Sequence, residues 1–134
     1  MSTEEMTSRK PFILLAEDDE ANVETISCYL QAKGYEIFLA YDGQHAIDVT
    51  QLVGPDLIVM DIQMPGMDGL AAIKVIRQLD RFQTIPIIAL TALAMKGDQE
   101  RCLEAGANLY LSKPVKLKQL DMAIKQLLSD RLPD

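Results

Sequence analysis

The sequence predicts an α/β fold: a five-stranded parallel sheet with helices on both faces. Three observations carry this. Short apolar runs alternate five times with segments of helical period. The connections between them are short. The apolar runs also lack polar alternation, as expected of strands covered on both faces, which is the habit of parallel sheets. Right-handed crossovers then restrict the topology.

The elements follow in order. The first apolar run is residues 12–16. A helix is expected over 20–33, with Val23, Ile26, Tyr29 and Leu30 at helical spacing and Gly34 closing it. Residues 35–40 read as the second strand. A short helix runs from Gly43 to residue 52, with Ala46, Ile47 and Val49 apolar, and Gly54 and Pro55 end it. The third strand is 56–60, followed by a loop through Met64, Pro65 and Gly66. Asp68 caps a helix reaching Leu79, with Leu70, Ile73, Val75 and Ile76 on its apolar face. Pro86 opens a fourth strand over 87–90. Residues 96–105 form a helix stopped by Gly106, 109–111 a fifth strand, and 117–129 a final helix with Leu120, Ile124, Leu127 and Leu128 on one face.

The chain reads as one domain over residues 10–131, preceded by a polar tail of residues 1–9 that is expected to be disordered. Thirteen basic residues against twenty acidic ones give a net charge of −7, which lacks the basic footprint of a nucleic-acid binder. No apolar run approaches the ~20 residues of a membrane span, and the N-terminal stretch has no apolar core of a secretory signal. The two cysteines, Cys28 and Cys102, suit free buried thiols in a reducing compartment, so a cytoplasmic location is expected.

The chemistry gathers at the strand ends. The first strand runs into Glu17, Asp18, Asp19 and Glu20, and the third strand stops at Asp61. In a parallel sheet these ends point the same way, at the crevice where open α/β sheets bind ligands. Clustered carboxylates repel one another unless a positive charge sits among them. Hard oxygen donors around a partly open site suit Mg²⁺, with Mn²⁺ as a substitute. The fourth strand ends at Thr91 and Ala92, with a hydroxyl expected at the rim. The fifth ends at Ser112, Lys113 and Pro114 and brings an ammonium. One nucleophilic carboxylate, a metal pocket, a hydroxyl and a lysine are the parts needed for phosphoryl transfer to aspartate.

These segments together resemble the receiver domain of two-component response regulators. The carrying stretches are residues 13–19, 61–69, 89–92 and the pair Lys113 and Pro114, in the family's order and spacing. The resemblance implies a flavodoxin-like fold of five β–α units with strand order 2-1-3-4-5. It implies Asp61 as phosphoacceptor, with Asp18 and Asp61 as direct Mg²⁺ ligands, Glu17 acting through water and the Gln63 backbone carbonyl completing the set. Thr91, the Ala92 amide and Lys113 would hold the phosphoryl group. Thr91 and Tyr110 would switch together, and a cis peptide would precede Pro114. Gln63 and Leu93 would tune hydrolysis, an apolar Leu93 hindering water and prolonging the phosphorylated state. The implied donor is a histidine kinase or histidine phosphotransfer protein. The implied output is a downstream protein, or a second copy of the chain, on the face of the fourth helix, fifth strand and fifth helix.

Blander readings stand beside these. Asp61 could cap a loop, Glu17 and Asp18 could be a solvated run, and Thr91 and Lys113 could be an ordinary strand threonine and a surface lysine. Tyr110 could be a half-buried core tyrosine. His45, the one histidine, reads as solvated rather than as a phosphodonor, and Met60, Met64, Met67 and Met95 read as packing. Leu109 departs from the family's small or acidic residue and would add apolar area to the output face, on the order of 2 kcal/mol if buried. Two other functions compete: a Mg²⁺-dependent hydrolase working through an aspartyl phosphate, and a pseudo-receiver used only for binding. The hydrolase needs a second acid two residues past Asp61, where Gln63 stands. The intact set Asp18, Asp61, Thr91 and Lys113 counts against the pseudo-receiver.

Overall fold

The computed structural model of the chain describes residues 10–92 and 96–131. Among the described residues run β1 (Phe12–Ala16), α1 (Glu20–Ala32), β2 (Glu36–Ala40), α2 (Gly43–Val53), β3 (Leu57–Asp61), α3 (Gly69–Gln78), a 3-10 turn (Asp80–Phe82), β4 (Ile87–Thr91), α4 (Lys96–Ala105), β5 (Leu109–Ser112) and α5 (Leu117–Arg131). The strands pair in parallel in the order β2-β1-β3-β4-β5, as expected. The expected tail of residues 1–9, Leu93 and Met95 lie outside the described residues.

Strand side chains alternate between the two faces of the sheet, and each set meets its own layer of helices. Leu14, Ala16, Ile58, Met60, Ile87 and Ala89 face α2, α3 and α4, packing with Ala46, Ile47, Ala72, Ile73, Ile76 and Cys102. Ile13, Leu15, Leu57, Val59, Ile88, Leu90 and Leu111 face α1 and α5, where Ile26, Leu30, Leu120 and Ile124 close the core. Each fully buried aliphatic side chain contributes roughly 1.5–3 kcal/mol, so the central strands anchor the sheet on both sides.

The helices start where short polar side chains stop the strand connections. Asp19, Asp42 and Asp68 are the N-caps of α1, α2 and α3, accepting from the backbone amides of Asn22, His45 and Ala71. Such a cap is worth about 1 kcal/mol. Three strands end one residue later than the apolar pattern suggests: β3 at Asp61, β4 at Thr91 and β5 at Ser112. The ladder extends because backbone pairing does not require apolar side chains. Asp61 sits opposite Leu90, and Thr91 opposite Ser112. The residues expected to react are therefore held by the sheet itself.

The 3-10 turn is absent from the sequence pattern and is explained by Arg77. Its guanidinium donates to the carbonyls of Phe82, Gln83 and Gly106 and to Asn108 Oδ1, which also accepts from the Ile87 amide. One side chain thus ties α3 to the turn and to the connection before β5. Cys28 is exposed and only Cys102 is buried, correcting the expectation of two buried thiols. Among the described residues Cys28 stays exposed on the flank of α1, while Cys102 packs against the core of the α2–α4 layer.

Tyr35, just ahead of β2, is buried and donates its hydroxyl to Asp121 Oδ1 of α5 at 3.0 Å, and Lys125 Nζ lies 3.1 Å from Asp121 Oδ2. Tyr35→Phe strips a partner from a buried carboxylate and is expected to cost about 1.5–3 kcal/mol at neutral pH. Burial, and then the hydrogen bond and charge of Asp121, push the phenol above its ordinary range. Its contribution is present while the unfolded-state phenol stays protonated and is lost as pH rises towards the folded value. Denaturant midpoints of the wild type should fall more steeply above about pH 10 than those of Tyr35→Phe. Parallel alkaline slopes would contradict this.

Candidate functional site

The carboxyl ends of β1, β3, β4 and β5 converge at one edge of the sheet. Backbone bonds set each position: the Glu17 amide donates to Ala40 O at 3.0 Å, the Ile62 amide to Leu90 O at 3.0 Å, and the Lys113 amide to Thr91 O at 2.8 Å. One oxygen each from Glu17, Asp18 and Asp61 lies within 4.8 Å of the others. Glu17 and Asp61 are buried, and Asp18 is exposed at the mouth.

Lys113 reaches into this group. Its Nζ lies 2.9 Å from Asp61 Oδ2 and 3.1 Å from Glu17 Oε1. The second distance satisfies charge but not hydrogen-bond direction, so Glu17 Oε1 has no hydrogen-bond partner although it is buried. Glu17 Oε2 accepts from the Asp19 amide at 3.3 Å and from Lys113 Nζ at 3.5 Å. Asp61 Oδ1 accepts from the Gln63 amide at 3.0 Å.

The electrostatics show a deficit of positive charge. Burial pushes the Glu17 carboxyl above its usual range, reinforced by the hydrogen bond and charge of Asp61 and opposed by Lys113. Burial alone would pull the Lys113 ammonium down, but its contacts with Asp61 and then Glu17 outweigh that and hold it above the usual lysine range. Two buried carboxylates share one ammonium, and a third carboxylate stands at the mouth. The orphaned Glu17 Oε1 and the all-oxygen donor set fit a small hard cation such as Mg²⁺. Glu17, Asp18, Asp61 and the neighbouring Gln63 carbonyl are the residues that would hold it.

Thr91 is fully buried rather than at the rim, because β4 extends to include it. The Ala92 amide, expected to face a phosphoryl group, donates to Gln63 Oε1 at 3.3 Å. Tyr110 is half-buried and packs on the α2–α4 side of the sheet, the side Ala89 faces. Strand alternation places Thr91 on that same side, one diagonal step from Tyr110 on the neighbouring strand. Leu109 points the other way, half-buried against the α1–α5 core rather than exposed on an outer surface. The Lys113–Pro114 peptide is cis. His45 lies away from the strand ends and keeps part of its surface open to solvent. It is half-buried, its Nδ1 accepts from the Tyr41 amide at 3.2 Å, and its ring lies against Tyr41 because the α2 cap folds that segment back on itself. Met60 and Met64 are buried and Met67 packs on the core.

The loop from Ile62 to Asp68 is braced at two helix starts. The Gly69 amide donates to Ile62 O and the Gly43 amide to Met67 O, each at 3.2 Å. A Cβ at Gly69 would lie 2.3 Å from Asp61 O, and one at Gly43 would lie 2.3 Å from Met67 O. Neither glycine has a positive φ, so close backbone approach alone demands them. The sequence does carry a signal for this: each glycine directly follows a capping aspartate, where almost any residue would serve a helix better.

The model of the response regulator receiver domain matches residues 13–125. The polar-differentiation response regulator DivK of Brucella anthropi is 39% identical over 118 residues, covering 88% of this chain and 96% of that protein. The receiver domain of sensor histidine kinase PA1611 from Pseudomonas aeruginosa, solved with a magnesium ion coordinated in the active-site cleft, superposes with a TM-score of 0.85 at 38% identity, over 90% of this chain and 99% of that one. The chemotaxis protein CheY4 of Vibrio cholerae superposes with a TM-score of 0.84 at 27% identity, over 89% and 99%.

Proposed function

This chain belongs to the response regulator receiver domain family, and on that footing we propose that it is a phosphorylation-operated switch that takes its phosphoryl group on Asp61. The observation that carries this is the packing of Asp61 among Glu17, Asp18 and Lys113 at the ends of three strands. A carboxylate oxygen of Asp61 attacks phosphorus of a phosphohistidine. The P–N bond breaks, and the imidazole leaves with a proton from solvent. Lys113 supplies positive charge to the phosphoryl oxygens, and the Thr91 hydroxyl and Ala92 amide donate to them. Mg²⁺, held by Asp18, Asp61, the Gln63 carbonyl and, through water, Glu17, would neutralise charge on the transferring group.

The donor is a histidine kinase or histidine phosphotransfer protein. Such a partner must bring its imidazole to the strand ends. A groove lined by Asn22, Thr25, Ile26, Pro114, Val115 and Leu117 opens beside Lys113 and offers apolar footing there. Inward movement of Thr91 and Tyr110 would then bias two arrangements of the surface of α4, β5 and α5, where a downstream protein or a second copy would bind. The shared sheet face of Thr91 and Tyr110 supports that coupling. Gln63 and Leu93 tune hydrolysis of the acyl phosphate, the apolar Leu93 by hindering water. Among the described residues no helix is long and apolar enough to cross a membrane, and the domain works in the cytoplasm without binding nucleic acid.

The test is chemical. Incubated with Mg²⁺ and acetyl phosphate, the protein should gain one phosphoryl group by intact mass, and Mn²⁺ should substitute. Chelation should cut the rate at least about tenfold, since the excess carboxylate charge then faces the donor unscreened. Labelling that is absent, or indifferent to the chelator, would remove this function.

A further inference from the structure

The Ala92 amide already has an acceptor in the resting protein, and that acceptor is the side chain of the residue beside the phosphoacceptor. Gln63 Oε1 accepts from Ala92 N at 3.3 Å, while the Gln63 backbone amide donates to Asp61 Oδ1 at 3.0 Å. The two ends of this bridge differ in freedom. The backbone leading into Ala92 is held, because Ile62 N pairs with Leu90 O and Lys113 N with Thr91 O, at the two residues just before it. The Gln63 side chain is exposed and can swing away. We propose that Gln63 is a resting-state latch: its carboxamide oxygen occupies the place a phosphoryl oxygen must take on the Ala92 amide, and it has to leave before the phosphorylated state can form.

The chemistry of the exchange is one acceptor for another. A carboxamide oxygen is a neutral acceptor, and a phosphoryl oxygen is an anionic one, about twice as strong on the same donor. The phosphoryl group therefore wins at equilibrium, but the latch lowers the population that is ready to receive it. This role is separate from tuning hydrolysis after transfer, because it acts on the unphosphorylated protein. It rests on the phosphoacceptor reading of Asp61 given above.

Two substitutions have opposite expected signs. Gln63→Met keeps the length and removes the acceptor. Gln63→Glu keeps an acceptor and adds a charge that both strengthens the bond to the amide and repels the incoming group. In the resting protein, hydrogen exchange at the Ala92 amide should speed up about two- to tenfold in Gln63→Met, the range of one neutral hydrogen bond. Labelling by acetyl phosphate at saturating Mg²⁺, and saturation by beryllofluoride, should improve by a similar factor in Gln63→Met and worsen in Gln63→Glu. Mg²⁺ affinity, titrated without donor, should stay within about twofold in Gln63→Met, since the backbone carbonyl is retained. Unchanged Ala92 exchange overturns the latch. So do equal labelling rates in wild type and Gln63→Met, or a large loss of Mg²⁺ affinity there, which would mean that the loop had moved. If wild type takes neither phosphoryl group nor beryllofluoride, the phosphoacceptor reading itself falls and the latch falls with it. Labelling of the wild type with no difference among the variants removes the latch alone.

Discussion

Asp61→Asn is expected to take up almost no phosphoryl group from acetyl phosphate and Mg²⁺, and yet to fold. The asparagine keeps the shape of the side chain and an oxygen where the Gln63 amide donates. It lacks the anionic oxygen that attacks phosphorus, so transfer should slow by at least about a hundredfold, or ~2.7 kcal/mol of barrier. Stability should change little, because two effects oppose one another. The ion pair with Lys113 Nζ at 2.9 Å is lost, but Glu17 no longer faces a second buried carboxylate. Lys113 keeps Glu17 as a partner at 3.1 Å. Intact mass before and after donor, with circular dichroism of both proteins, reads the two halves. Mg²⁺-dependent labelling that survives in Asp61→Asn would move the acceptor to Asp18 or Glu17 and sink the assignment.

Gly69→Ala damages the site although it adds a single methyl group at a helix start, where alanine is ordinarily the better residue. On helix propensity alone the change should stabilise by about 1 kcal/mol. The added Cβ would stand 2.3 Å from Asp61 O and 2.5 Å from Ile62 Cα. Both neighbours are backbone of the strand end that carries the phosphoacceptor, so no side chain can rotate out of the way. Overpacking of this kind costs about 1–3 kcal/mol, and the displaced atoms are those that orient the Asp61 carboxylate and the Gln63 carbonyl. Mg²⁺ demands near-ideal octahedral geometry, so its affinity should fall at least about tenfold even under conditions where the variant is fully folded. Gly97→Ala is the control, since among the described residues outside its own helix and chain neighbours nothing lies within 4 Å of a Cβ added there. It should leave Mg²⁺ binding untouched and gain a few tenths of a kcal/mol to about 1 kcal/mol. Equal Mg²⁺ affinities in the two variants would show that the approach at Gly69 matters only for packing.

Much of the fold is legible in the order of residues because strands and helices are local. Continuous apolar runs and period-3.6 patterns are written over a few neighbours, and the aspartates before α1, α2 and α3 mark starts that can be read one by one. The strand-end residues were legible for the same reason: an apolar run that stops at Asp61 or Thr91 announces where it stops, within one residue. The 3-10 turn was not legible, because Arg77 makes it from one end of α3 using carbonyls as far along as Gly106. Nor was the burial of Thr91, or the inward turn of Leu109, since each depends on how far a neighbouring strand extends and which layer covers it.

By itself the sequence determined the alternation of elements, the parallel sheet and the kinds of group that end each strand: carboxylates, a hydroxyl, an ammonium. Only the tertiary structure decided how those groups pair. Lys113 meets Glu17 across 96 residues and Asp61 across 52, and Gln63 meets the Ala92 amide across 29. The physical reason is one of range. Local backbone preferences act between residues a few positions apart, whereas a contact between strand ends exists only once two helix layers have packed the sheet into one order and one register.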